Sequence, residues 1–126
     1  MKSARRLFDP ADIRKLASEE RWKVDAQRQF RTLDTVAAVL GCDSWDAPDI
    51  IQKALGTVDF LTFNKVWDED DPPSEVHGLW IEDRGFYVKL RIDRAANKLM
   101  LISFHPPDDE PLITEGGPVW RVRKRR

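Results

Sequence analysis

The sequence predicts an α+β domain in which N-terminal helices pack on an antiparallel β-sheet. Up to Gly56, apolar residues recur at helical spacing and are followed by residues that end helices. Beyond Gly56 the runs are rich in β-branched and aromatic residues, and Gly, Asn and Asp stand between them. The chain has 126 residues, of which 41% are hydrophobic, so one hydrophobic core can form without disulfides.

The first helix is predicted from its N-terminal cap. Asp9 can accept backbone N–H groups of the first turn, and Pro10 has no N–H to leave unsatisfied there. We expect this helix to fade at residues 18–21. Trp22-Lys23-Val24 then alternates like a short strand.

Two further helices are predicted before Gly56. Thr32 can cap a helix whose apolar residues fall at i, i+3, i+4 and i+7, and Gly41 suits the left-handed conformation that ends it. The next helix begins at Asp46 and ends at Gly56. Together they form a helical pair ahead of the sheet.

The sheet is predicted from four β-rich runs. Thr57–Trp67 precedes the acidic run Asp68–Asp71, which we expect to be a solvated loop. An antiparallel meander follows, with strands at Val76–Glu82, Phe86–Ile92 and Lys98–Phe104. Gly85 suits the positive-φ position of the first hairpin loop, and Asn97 suits that of the second.

The middle strand of the meander alternates cleanly. Its core face carries Phe86, Val88, Leu90 and Ile92, and its other, exposed face carries Tyr87, Lys89 and Arg91. After His105, prolines and glycines are frequent, so we expect residues 106–126 to form an irregular extension with a basic end. The domain itself is predicted to comprise residues 1–105.

Charge is unevenly distributed along the chain, although the formal net charge is only -1. Residues 1–31 carry nine Lys/Arg and five Asp/Glu, residues 32–120 carry seven and seventeen, and the last six residues carry five Lys/Arg. A polyanion would meet the two ends, and a basic partner would meet the middle. With no apolar run of about 18 residues and no secretory signal, we expect a cytoplasmic protein without a membrane partner.

Few catalytic motifs are present. The sequence lacks a phosphate-binding glycine loop and a nucleophile elbow, and one cysteine with two histidines makes neither a disulfide nor a zinc cluster. The predicted polar face carries Tyr87, Lys89 and Arg91, and His105 ends the next strand. Cleavage of RNA by its own 2′-hydroxyl needs a proton acceptor, a proton donor and cations, which such side chains supply. An ordinary solvated sheet face would carry the same residues.

The order of features resembles the MqsR family of bacterial toxins over roughly residues 7–105. The segments that carry this resemblance are Ile13–Leu16, Val36–Gly41, Asp49–Leu55, Asp59-Phe60, Phe86–Leu90 and Leu101–Phe104. The resemblance implies a RelE-like α+β toxin that cleaves messenger RNA, free or on the ribosome, and that a cognate antitoxin silences. It also implies functional roles for Tyr87 and Lys89, which match the Tyr-x-Lys strand of the family.

The chain departs from the family at three site positions. His105 stands where the family has a lysine after Ser-Phe, and the positions of a second lysine and of a glutamine fall near Thr62 and Ser74. Two alternatives follow. Either His105 takes over the proton transfer, with Lys65 supplying charge, or the chain has lost this activity.

The resulting hypothesis is a toxin endoribonuclease that needs no metal and no cofactor. Its catalytic residues are His105, Tyr87 and Lys89. Its RNA contacts are Lys65, His77, Arg91, Arg121 and Arg123. The alternative is a non-enzymatic protein, immunity-like or regulatory, whose acidic middle segment binds a basic partner, since four carboxylates at residues 68–71 would not favour RNA.

Overall fold

A computed structural model of the protein describes residues 6–25 and 29–123. Within them lie the helices α1 (Pro10–Ser18), α2 (Gln29–Leu40) and α3 (Ala47–Leu55). The strands are β1 (Trp22–Val24), β2 (Phe63–Trp67), β3 (Ser74–Ile81), β4 (Arg84–Asp93), β5 (Lys98–His105), β6 (Leu112–Thr114) and β7 (Gly117–Val119). No helix in this part of the chain is long and apolar enough to cross a membrane.

Five strands form the main sheet in the order β1-β5-β4-β3-β2. All neighbours are antiparallel except β1, which runs parallel to β5 with Trp22 opposite Leu99. A separate antiparallel pair joins β6 to β7. The prediction of helices packed on a mostly antiparallel sheet is confirmed.

The hydrophobic core lies between the helices and one face of the main sheet. The predicted core face of β4 is buried throughout: Phe86, Val88 and Leu90 are 0% exposed and Ile92 is 7% exposed. Helix residues close this core from the other side, among them Ile13, Val36 and Ile51. The register of β4 is therefore the one that alternation predicts.

Helix ends agree with the sequence at most positions. Asp9 caps α1, since its Oδ1 accepts the N–H of Ala11 at 2.8 Å, and Gly41 has a φ of 70° after α2. The predicted cap at Thr32 is wrong. Within the described residues the helix already includes Gln29, and Thr32 is a buried residue inside it.

The first long β-rich run is a strand only in its second half. Asp59 Oδ1 accepts the N–H groups of Leu61 and Thr62, at 2.8 and 3.1 Å, and so stabilises a turn. This turn keeps the residues before Phe63 from pairing with β3. Strand β2 therefore begins at Phe63 rather than Thr57.

The turn between β3 and β4 lies earlier than predicted. Ile81 pairs with Arg84, so the loop consists of Glu82 and Asp83, and Glu82 has the positive φ of 56°. Gly85, expected in the loop, is a buried ladder residue opposite Trp80. Asn97 does adopt the predicted positive φ, at 53°, in the β4–β5 loop.

The extension after His105 is more ordered than the sequence indicates. The β6–β7 pair packs on β3 so closely that a Cβ on Gly78 would lie 2.8 Å from Thr114 Cγ2 and 2.9 Å from Val119 Cγ2. Further on, Val122 bridges to Arg84 at the start of β4. The expectation of an irregular extension was therefore wrong for residues 112–119.

Candidate functional site

Tyr87 and His105 face each other across β4 and β5. They are register partners on the sheet face away from the core, and their rings stack with centroids 4.8 Å apart and planes 15° apart. Both side chains are half-buried. Pro106 and Pro107 follow at once, and they supply no N–H for a longer strand. His105 is thus held at the end of a packed strand.

The hydrogen bonding of His105 defines its neutral tautomer. Its Nδ1 lies 2.7 Å from the carbonyl oxygen of Pro106. Because a carbonyl only accepts, Nδ1 must carry the hydrogen, and the neutral ring then has its lone pair on Nε2. No residue in the described part of the chain hydrogen-bonds to Nε2. This arrangement suits a proton acceptor.

Tyr87 lies in an electronegative environment. Burial raises the pKa of its hydroxyl above the ordinary value of 10.0, and the charges of Asp70 and Asp108 raise it further. The hydroxyl is therefore a hydrogen-bond donor throughout the physiological pH range. A cleft of about 420 Å³ opens beside it, lined by Tyr87 and residues 107–112, which include Asp108, Asp109 and Glu110.

Lys89 is paired rather than free. Its Nζ lies 3.2 Å from Asp70 Oδ2 and 4.9 Å from the ring centre of Trp67, and its side chain is only 13% exposed. Asp70 also accepts the hydroxyl of Ser74 at 3.0 Å. The acidic run is thus folded against the sheet at Asp70. The expectation that Lys89 and Arg91 are exposed was wrong, since both are half-buried.

His77 is on the core face of β3 and is 0% exposed. Its Nε2 lies 3.0 Å from Glu75 Oε1, and its Nδ1 lies 2.8 Å from Thr62 Oγ1. Glu75, also 0% exposed, accepts the backbone N–H groups of Leu7 and Phe8. The prediction that His77 contacts RNA is corrected, because a buried and hydrogen-bonded imidazole cannot reach a phosphate.

The remaining predicted RNA contacts are spread over the surface. Lys65 lies over Trp67, with Nζ 4.9 Å from the ring centre. Arg91 is four residues from Tyr87 along β4, a distance of about 13 Å at the usual strand rise. Arg121 donates from Nε to the Pro107 carbonyl at 2.7 Å, and Arg123 lies 4.2 Å from the ring centre of Trp80. The structure does not gather these cations around His105.

A second cleft beside His105, the α2–β5 cleft, was not predicted. It has a volume of about 270 Å³ between the start of α2 and the end of β5, and its lining residues are Arg31, Thr32, Thr35, Ser103, Phe104 and His105. No local pattern marks it, because α2 and β5 are far apart in the sequence. Thr32 was singled out only as a helix cap.

Comparisons of the chain with protein-family models, with curated proteins and with solved structures found no match. The resemblance to the MqsR family therefore stays a prediction. In residues 6–25 and 29–123, no three His, Cys, Asp or Glu side chains are placed to hold a metal ion together.

Proposed function

We propose that the chain is an endoribonuclease that cleaves messenger RNA by attack of the RNA's own 2′-hydroxyl, as the toxin of a toxin-antitoxin pair. The observation that carries this proposal is the contact of 2.7 Å between His105 Nδ1 and the Pro106 carbonyl oxygen. The Nδ1–H of His105 is bound to that carbonyl, which leaves the Nε2 lone pair beside the ring of Tyr87. A rigid proton acceptor and a hydroxyl donor stand side by side on two neighbouring strands.

The proposed reaction needs no water as a nucleophile. His105 Nε2 takes the proton of the 2′-hydroxyl, and O2′ attacks the adjacent phosphorus. The bond from phosphorus to O5′ breaks, and O5′ takes up a proton from solvent. The products are a 2′,3′-cyclic phosphate and a 5′-hydroxyl. Tyr87 donates a hydrogen bond to the phosphate as negative charge develops on it.

Cleavage assays with purified chain and single-stranded RNA test the proposal. We expect His105→Ala to lose about 10² to 10⁴-fold in rate, as loss of a general base usually costs. Tyr87→Phe should lose less, because one hydroxyl contact is removed. Lys98→Ala is the matched control, since Lys98 is exposed at the opposite end of the same strand. Equal rates for the wild-type chain and His105→Ala would contradict the assignment.

The toxin part of the proposal is tested in bacteria. Expression of the chain without a partner should arrest growth and degrade messenger RNA in the cytoplasm, where the proposed substrate is found. His105→Ala should relieve the arrest while its folding stays unchanged. Co-expression of a cognate antitoxin should restore growth of cells with the wild-type chain.

The second candidate function is binding of a basic partner without catalysis. The observation in its favour is the acidic cleft beside Tyr87, where Asp108, Asp109 and Glu110 line about 420 Å³. A Lys- and Arg-rich segment would fit this charge. A wild-type chain that neither cleaves RNA nor arrests growth, but binds such a peptide more weakly as salt rises, would favour this function.

A further inference from the structure

The two clefts that meet at the stacked pair Tyr87 and His105 differ in charge. The cleft on the Tyr87 side has three carboxylates among its lining residues, at positions 108–110. The α2–β5 cleft, on the His105 side, is lined by Arg31 and His105 among other residues, and none of its lining residues is acidic. An RNA phosphate would be repelled by the first cleft and attracted by the second.

We propose that the α2–β5 cleft binds the scissile phosphate and that Arg31 is the cation that contacts it. This inference rests on the proposed function, whose proton acceptor, His105, lines the same cleft. Thr35, which is half-buried, adds a hydroxyl-bearing residue to the lining, and hydroxyls donate to phosphate oxygens. The residue that carries the proton acceptor and an exposed cation thus line one cleft of about 270 Å³.

Arg31 fits this role better than the lysine that the sequence indicates. Lys89 already neutralises Asp70 at 3.2 Å, and its side chain is 13% exposed. Arg31 is exposed at the surface of α2. A guanidinium also keeps its charge at every physiological pH and can donate two parallel hydrogen bonds to one phosphate.

The inference also places the scissile phosphate on one side of the sheet end. Beside Arg31, the phosphate lies in the cleft that has no acidic lining residue, and not in the cleft lined by residues 108–110. Because Tyr87 is stacked on the His105 ring, its hydroxyl has to reach the phosphate at the edge of the stacked pair. This placement explains how a chain with an acidic middle segment can accept a polyanion: the substrate meets the α2 side of the sheet end.

Binding is measured first, with a single-stranded oligonucleotide that is 2′-O-methylated throughout and cannot be cleaved. We expect Arg31→Ala to weaken binding about tenfold or more, as loss of a charge-assisted contact does. The slope of log affinity against log salt should fall by about 0.7, the value for one phosphate contact on a single strand. Lys53→Ala removes an exposed cation of α3 and serves as the charge-matched control. Arg31→Lys should recover part of the affinity.

Cleavage is measured next, with ordinary RNA of the same sequence. Arg31→Ala should lower kcat/KM about 10² to 10³-fold, because a cation at the developing charge acts mainly in the transition state. Thermal unfolding of each variant shows whether the fold is intact, and an exposed residue such as Arg31 should leave it unchanged.

The outcomes separate this inference from the proposed function. Unchanged affinity and salt slope in Arg31→Ala, or no binding of the oligonucleotide by the wild-type chain, would overturn the inference. If Arg31→Ala leaves affinity and salt slope unchanged but the wild-type chain cleaves RNA, the proposed function survives without Arg31. If the wild-type chain binds the oligonucleotide through Arg31 but leaves ordinary RNA intact, the phosphate site stands and the proposed function fails.

Discussion

Gly85→Ala is the substitution whose effect follows most directly from the structure. A Cβ at this position would lie 1.9 Å from the Trp120 carbonyl oxygen and 2.6 Å from Val119 Cγ1. The carbonyl belongs to the backbone and cannot rotate away as a side chain does. We therefore expect the segment that follows β7 to detach from β4 in this variant.

The size of the effect can be worked out from the contacts that detachment removes. Three hydrogen bonds are lost: Gly85 N–H to the Arg121 carbonyl, Arg123 N–H to the Asp83 carbonyl, and Arg121 Nε–H to the Pro107 carbonyl. Each is worth about 1 kcal/mol, and the Arg123 contact with Trp80 adds about 0.5 to 1 kcal/mol. Replacing glycine restricts the unfolded chain and offsets about 0.4 to 1 kcal/mol. The expected loss in free energy of unfolding is about 2 to 4 kcal/mol.

Urea unfolding, followed by the fluorescence of the five tryptophans, measures this loss. Trypsin should also cleave the variant faster after Arg121 and Arg123. The control is the same substitution in a chain that ends at Val119. Of the three atoms nearest to the added Cβ, the two of the Trp120 backbone are then gone and Val119 Cγ1 remains, so the cost should fall sharply. An equal cost in both backgrounds, or a cost under about 1 kcal/mol in the full chain, would refute the reasoning.

Three further predictions concern the sheet. Tyr87 is the only tyrosine, so ultraviolet absorption titrates it alone; its midpoint should lie above 10 in the folded chain and move down in Asp108→Asn. Because the folded-state pKa is the raised one, the stability that this shift contributes is complete below about pH 10 and is lost as pH rises through the folded-state value. Leu90→Ala should cost about 2 to 5 kcal/mol in urea unfolding, since the side chain is fully buried. His77→Leu should cost about 1 to 3 kcal/mol in the same assay, because it removes one hydrogen-bond partner of the buried Glu75 carboxyl group, which keeps the N–H groups of Leu7 and Phe8; an unchanged free energy of unfolding would contradict that account.

Local patterns were sufficient to predict the parts of the fold that depend on neighbouring residues. Alternation along β4 and the Asp9-Pro10 cap each reflect interactions within a few residues. The position of Gly85 was predicted wrongly, because a glycine is required there by the close approach of the Trp120 backbone, which lies far along the chain. The short strands β6 and β7 were missed for the same reason, since they depend on packing against β3.

The site was predicted in part. Adjacent antiparallel strands were enough to place His105 near Tyr87, and the register pairs them directly. His77 was misplaced because β3 has apolar residues on both faces, so its pattern does not show which face is buried. Arg31 was missed because nothing in its own helix distinguishes it from any other exposed cation. Arg31 becomes a candidate phosphate contact only because the fold brings the end of β5 beside it.

The short strand β1 has a consequence for how β5 moves. β1 pairs with Leu99–Leu101 only, so β5 has strand neighbours on both sides there, whereas His105 lies beyond the end of β1. Local opening should therefore require more free energy at Leu101 than at His105. Amide hydrogen exchange should slow along β5 in the direction of Leu99. His105 then lies where the strand changes from a part paired on both sides to a part paired with β4 alone.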